Sequence, residues 1–210
     1  MNKKGFTLIE IVVAMAVASV VLAAIFTMFH AQTQSHRQQQ LTVQMQQNLR
    51  AVVHLLEREI RMAGYSAAEH RAAAGFRLNF GDLAGSEASG ATINATNIAF
   101  TTDSGPGAFN DNGQIDTGSS FEVVAFRYDA ADRRIERWDV ASGQWQVAAE
   151  QISGLTFTYY NGANPPAILP LPMTVANLAN IRSVQVAISA IAGDRTMNLT
   201  HTIKCRNAGL

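Results

Sequence analysis

A single cysteine, Cys205, stands in the 210 residues of this chain. One thiol cannot close an intramolecular disulfide, and zinc sites built on paired cysteines are excluded with it. Charge is also scarce: 15% of residues are ionisable Asp, Glu, Lys or Arg, below the roughly 25% usual in soluble domains. No excess of one sign is present, because 16 basic side chains balance 16 acidic ones. That removes the simplest electrostatic case for a nucleic-acid partner, and the aromatics do not interleave with a basic stripe, so no nucleic acid is expected. Signatures of catalysis are missing as well. There is no Gly-x-Ser-x-Gly elbow, no Gly-rich phosphate loop and no His-Glu-x-x-His pair. His30, His36, His54, His70 and His201 are scattered, with no neighbouring acid that suggests a base. The chain reads as no enzyme, with no cofactor required. At 48% hydrophobic it is long and apolar enough to build a core.

Neither glycine nor proline occurs between Phe6 and Ala63. The first part of that stretch, Phe6 to Phe29, is 24 residues long, and all but Thr7, Glu10, Ser19 and Thr27 are hydrophobic. As a helix it rises about 36 Å, enough for a bilayer core of about 30 Å. Lys3 and Lys4 precede it and no acid does, so the N-terminus is expected on the cytoplasmic side. The run is too long for a signal-peptide core, and Phe29-His30-Ala31 is a poor cleavage site. A plain membrane anchor leaves Glu10 unexplained. A charge at mid-membrane costs about 2.5–3.5 kcal/mol even on lenient scales, less near a helix end, and such residues usually have a partner.

Glutamine then dominates His30 to Gln47, with eight in 18 residues. Leu41, Met45, Leu49, Val52, Leu56, Ile60 and Ala63 recur at steps of three and four. They form one apolar helical face, expected to pack under the following domain. Gly64 suits the C′ stop. One helix is therefore expected over 6–63. Beyond Ala67 the period shifts toward two. Phe121–Tyr128, Arg134–Trp138, Gln144–Val147 and Leu155–Tyr160 read as strands, and Val184–Ser189 pairs with Met197–Ile203 across Gly193-Asp194. Pro165-Pro166 to Pro172 reads as a stiff loop. A long helix followed by antiparallel strands gives an α+β fold.

Lys3-Lys4-Gly5-Phe6-Thr7-Leu8-Ile9-Glu10 resembles the processing site of type IV pilins and type II secretion pseudopilins. The resemblance implies cleavage between Gly5 and Phe6 by a prepilin peptidase and N-methylation of Phe6. It also implies assembly roles for Thr7 and Glu10 in a bundle with other major and minor pilins. There the Glu10 carboxylate of one subunit can neutralise the Phe6 ammonium of a neighbour, a pairing that strengthens in low dielectric and sets axial register. Arg61-Met62-Ala63-Gly64-Tyr65, Tyr128-Asp129, Leu155-Thr156-Phe157-Thr158-Tyr159, Ile181-Arg182-Ser183-Val184 and Arg206-Asn207 resemble the PilW-like minor pilins, and the first more loosely the J-type pseudopilins. The implied fold is pilin-like. Residues 1–5 form a cleaved leader, 6–29 a membrane and assembly helix, 30–64 its amphipathic continuation and 65–210 a β-rich exported domain. The implied location is the bacterial inner membrane, single-pass with the N-terminus cytoplasmic, and then the pilus, periplasm or cell surface.

One stretch has hard-cation character. Setting Gly113 at the turn of a calcium loop puts Asn110, Asn112 and Asp116 at ligand positions, but Ala108 replaces the leading acid. A polar surface loop is the favoured reading over a calcium site. The implied function is a minor pilin that starts or caps assembly. The alternatives are a type II secretion pseudopilin and a surface-displayed module binding a ligand or calcium.

Overall fold

The computed structural model describes residues 7–65, 75–78, 93–103, 115, 122–193 and 195–206. The chain divides into two compact units, Met1–Gln44 and Met45–Leu210. A single helix, α1 (Leu8–Arg61), contributes to both.

From Leu8 to Phe29, in the first unit, the helix is apolar on every side. Every Val, Leu, Ile, Met and Phe side chain from Leu8 to Phe29 is at least half exposed, so this surface has no covering partner among the described residues. Its few hydroxyls are satisfied on their own helix. Ser19 Oγ donates to the Ala16 carbonyl at 2.7 Å and Thr27 Oγ1 to that of Ala24 at 2.8 Å. Such back-bonding is how hydroxyls are tolerated where no water is available.

In the second unit the same helix buries one face. Leu49, Val52, Val53, Leu56, Ile60 and Ala63 enter a core shared with two antiparallel sheets. The helix ends at Arg61 rather than at Ala63. Met62 and Ala63 donate to the carbonyls of Glu59 and Ile60, three residues back, so the last turn tightens before the chain leaves. Gly64 sits at φ +77°, the left-handed conformation that makes glycine the natural stop.

The first sheet has five strands in sequential order: β1 (Gly75–Phe76), β2 (Asn97–Thr101), β3 (Val123–Asp129), β4 (Arg134–Asp139) and β5 (Gln144–Ala149). The second has three, also sequential: β6 (Ile152–Tyr160), β7 (Ser183–Ala192) and β8 (Arg195–Lys204). A one-turn helix, α2 (Val175–Leu178), follows the proline loop. The expected hairpins are present with slightly longer strands, and the α+β, pilin-like architecture stands. Register explains the burial. Ile98 faces Phe126 and Phe100 faces Val124 on the core side, whereas Ala99 and Ala125 pair on the other side and pack with Trp138. In the second sheet Leu155, Phe157 and Tyr159 pair with Ile188, Val186 and Val184. The opposite positions of β7, Ser183, Gln185, Ala187 and Ser189, are half-buried.

Polar groups tie the sheets together. The Tyr159 hydroxyl lies 3.1 Å from the carbonyls of both Asn94 and Asn97. Burial holds this phenol well above its usual pKa, so it serves as a neutral donor. The buried Glu136 carboxylate is gripped from both sides. Arg127 Nε donates to Oε2 at 2.6 Å, and Arg134 Nε lies 2.8 Å from Oε1, close enough for an ion pair though off the hydrogen-bond axis. Arg127 in turn stacks 4.4 Å from the Trp145 ring centre.

Truncating the helix face should test its part in the fold. Leu56→Ala removes a fully buried side chain and should cost about 2–5 kcal/mol. Leu41→Ala, at a side chain 40% exposed in the first unit, should cost well under half of that. Chemical denaturation of the two variants in detergent compares them directly.

Candidate functional site

The strongest sequence signal lies at the start of α1, and its first described residue is Thr7. Gly5 and Phe6 lie outside the described residues, as do Asn110, Asn112 and Asp116. Thr7 and Glu10 are described, and they are in contact. The Glu10 backbone N–H donates to Thr7 Oγ1 at 3.3 Å, while the Thr7 backbone N–H donates to Glu10 Oε2 at 2.8 Å. The Thr7 hydroxyl also donates to Oε2 at 2.8 Å. This reciprocal arrangement is a capping box, with Thr7 as N-cap and Glu10 three residues on. It satisfies backbone donors that the first turn leaves without helical partners. It also places a carboxylate where the positive end of the helix dipole favours one.

The geometry resolves the oddity of an acid in this helix. Glu10 is the one ionisable side chain from Leu8 to Phe29. Its neighbours Ile9, Val13 and Ala14 line a shallow depression beside it. Both short contacts fall on Oε2, so Oε1 remains open to a further donor among the described residues. Thr7 and Glu10 therefore act as one unit. Reading along the sequence for charge and hydropathy misses this coupling. The Thr-x-x-Glu spacing ahead of an apolar run is the signal that carries it.

A second grouping departs from the sequence reading. The histidines were expected to stand away from acids, but two of them share one. His201 Nε2 is 3.5 Å and His54 Nδ1 is 3.8 Å from Glu57 Oε2, while Arg61 holds Oε1 at 2.7 Å. His54 comes to Glu57 by the three-residue spacing of a helix face. His201 comes from β8, a residue far away in sequence, which periodicity cannot anticipate. Among the described residues, no group of three or more His, Cys, Asp or Glu side chains is placed to hold a metal ion.

Cys205 is buried and unpaired. Burial pushes its thiol pKa up to about 12, with nearby Arg182 pulling slightly the other way. It fits the sequence reading of a small packed residue. Nothing around it resembles an activated nucleophile.

Comparison with known families adds to this geometry. Residues 38–206 match the family described as prepilin peptidase-dependent protein B, and residues 1–26 match the prokaryotic N-terminal methylation motif. The second match spans Gly5, Phe6, Thr7 and Glu10. No curated protein and no solved structure matches the chain.

If the capping box holds the start of α1, Thr7→Ala should weaken it by about 1 kcal/mol. Amide hydrogen exchange at Glu10 and Ile11, whose N–H groups bond to Thr7, should then quicken about fivefold, while exchange in the second unit stays unchanged.

Proposed function

This chain belongs to the prepilin peptidase-dependent protein B family, and on that premise we propose that it is a minor type IV pilin of PilW-like type that helps to start or cap a pilus. It is a pilin-like protein with a membrane-anchoring helix near its N-terminus. In this reading the leader is residues 1–5, 6–29 is the membrane and assembly helix, 30–64 its amphipathic continuation, and 65–210 the exported domain. A prepilin peptidase cuts between Gly5 and Phe6 and the new Phe6 terminus is methylated. The inner membrane holds the chain until other pilins draw helix 6–29 into a bundle. Its role is structural, without catalysis.

One observation carries the proposal. The apolar surface from Leu8 to Phe29 is exposed on all sides and holds a single carboxylate, at the end where the methylation motif matches. In a bilayer or a helix bundle that carboxylate needs a cation. The Phe6 ammonium of a neighbouring subunit supplies one of the right sign in the right layer. Because the capping box occupies Oε2, Oε1 can accept the neighbour without the helix start coming undone. Register is then set by a single polar pair within an otherwise featureless apolar surface, as in coiled coils with one buried polar position. A pseudopilin of a type II secretion system would share these N-terminal features. The likeness of Arg61–Tyr65 to the J-type pseudopilins favours it as the second reading.

Mass spectrometry of the mature protein should give a chain beginning at methylated Phe6, and an intact Met1 would overturn the processing step. Glu10→Ala should leave membrane insertion intact and cut surface pili at least tenfold, counted by electron microscopy of cells that depend on this subunit. Normal piliation by that variant would sink the register role.

A further inference from the structure

The end of α1 and the end of β8 meet at a basic cleft. The last turns of α1 and the residue after them supply His54, Glu57, Arg58, Arg61 and Met62, while β8 supplies Lys204 and the segment after it Arg206. The opening is about 750 Å³. A backbone hydrogen bond of 3.4 Å from the Arg206 N–H to the Arg61 carbonyl joins the two sides. Within it four cations face one carboxylate. Arg61 is engaged by Glu57 at 2.7 Å and Arg58 by Glu59 at 2.9 Å. Glu57 is also the neighbour of both histidines. That accounts for the acids. Lys204 and Arg206 have no carboxylate partner among the described residues.

The end of β8 fixes how those two cations are presented. Ile203 and Cys205 are buried, and Lys204 and Arg206 between and after them are exposed. The Cys205 N–H continues the ladder to the Arg182 carbonyl at 2.9 Å. Lys204, the last residue of β8, and Arg206, two residues on, therefore both stand exposed on either side of buried Cys205. A partner in extended conformation with carboxylates at alternate positions has the same repeat. The helix C-terminus contributes about half a negative charge nearby, which explains Arg58 and Arg61 at its last turn but leaves the strand-side pair in excess.

We propose that this cleft receives an acidic, extended segment of a partner subunit, its alternate carboxylates seated over Lys204 and Arg206. The cleft is open to solvent and offers long, flexible side-chain cations. That suits a peptide rather than a small anion. The inference rests on the reading of this chain as an assembly subunit and names the chemistry of one contact in that assembly.

The test uses the full chain in neutral detergent micelles, titrated against fluorescein-labelled hexaglutamate and followed by fluorescence anisotropy at about 0.01 M salt, where screening is weak. Wild type should bind. The double variant Lys204→Gln, Arg206→Gln should bind about tenfold more weakly, the loss of two exposed charge pairs. Arg37→Gln, on an exposed part of α1 remote in sequence, should bind as wild type. Unchanged melting by circular dichroism keeps the double variant interpretable. Equal affinities for wild type and the double variant would overturn the proposal. So would displacement of the peptide by inorganic phosphate at the same concentration of charged groups, which would make this a small-anion site. The readout requires no pilus. Normal piliation by Glu10→Ala would therefore leave this contact standing, and failure to bind hexaglutamate would leave the N-terminal reading untouched.

Discussion

The folded unit of residues 45–206 depends on the burial of one helical face. Leu49, Val52, Val53, Leu56, Ile60 and Ala63 enter a core to which both sheets also contribute. The two sheets share few cross-connections of their own. The Tyr159 hydroxyl and the Phe157 N–H to Ala95 carbonyl bond of 2.7 Å are two of them. The five larger side chains, Leu49, Val52, Val53, Leu56 and Ile60, each stabilising the fold by roughly 1.5–3 kcal/mol on burial, supply what those polar links do not. The helix in turn gains its stability here from tertiary packing rather than from propensity.

The same helix meets a different requirement in the first unit. There its large hydrophobic side chains from Leu8 to Phe29 are all at least half exposed. Bilayer and helix bundle both supply an apolar environment but little directional information. Position along the axis must then come from polar points, and Glu10 is the one such ionisable point before Phe29. The Thr7 cap fixes that carboxylate at the helix start. In the assembly proposed above, local helix chemistry and packing between subunits draw on the same two side chains.

Much of this was legible in the sequence. The 3.6-residue stripe from Met45 to Ala63 and the switch to alternation at Val123 and Val184 identified helix and strands, because each pattern reflects burial on one face. Strand β2 was missed: Asn97–Thr101 is short and lies among Thr, Asn and Ala residues that carry little alternation of polar and apolar side chains. The start of β6 was missed because Ser153-Gly154 reads as a turn, whereas the strand absorbs Ser153 in a register shift between the Ile152–Ala190 and Gly154–Ser189 pairs. The division into two sheets was also hidden, since it depends on which edge each strand finds. At the candidate site the residues Thr7 and Glu10 were legible, but their mutual hydrogen bonds were not sought. The meeting of His201 with Glu57 depends on tertiary packing and leaves no local trace.

Cys205 shows what its burial means for handling the molecule. Strand β8 leads straight into this residue, and the ladder bond to Arg182 holds it there. A thiol with its pKa near 12 has almost no thiolate at neutral pH. In oxidising surroundings an exposed lone cysteine would cross-link copies at random; this one stays chemically silent while the C-terminal strand is in place. It is thereby a built-in sentinel, becoming visible to alkylating reagents when the last strand leaves the sheet.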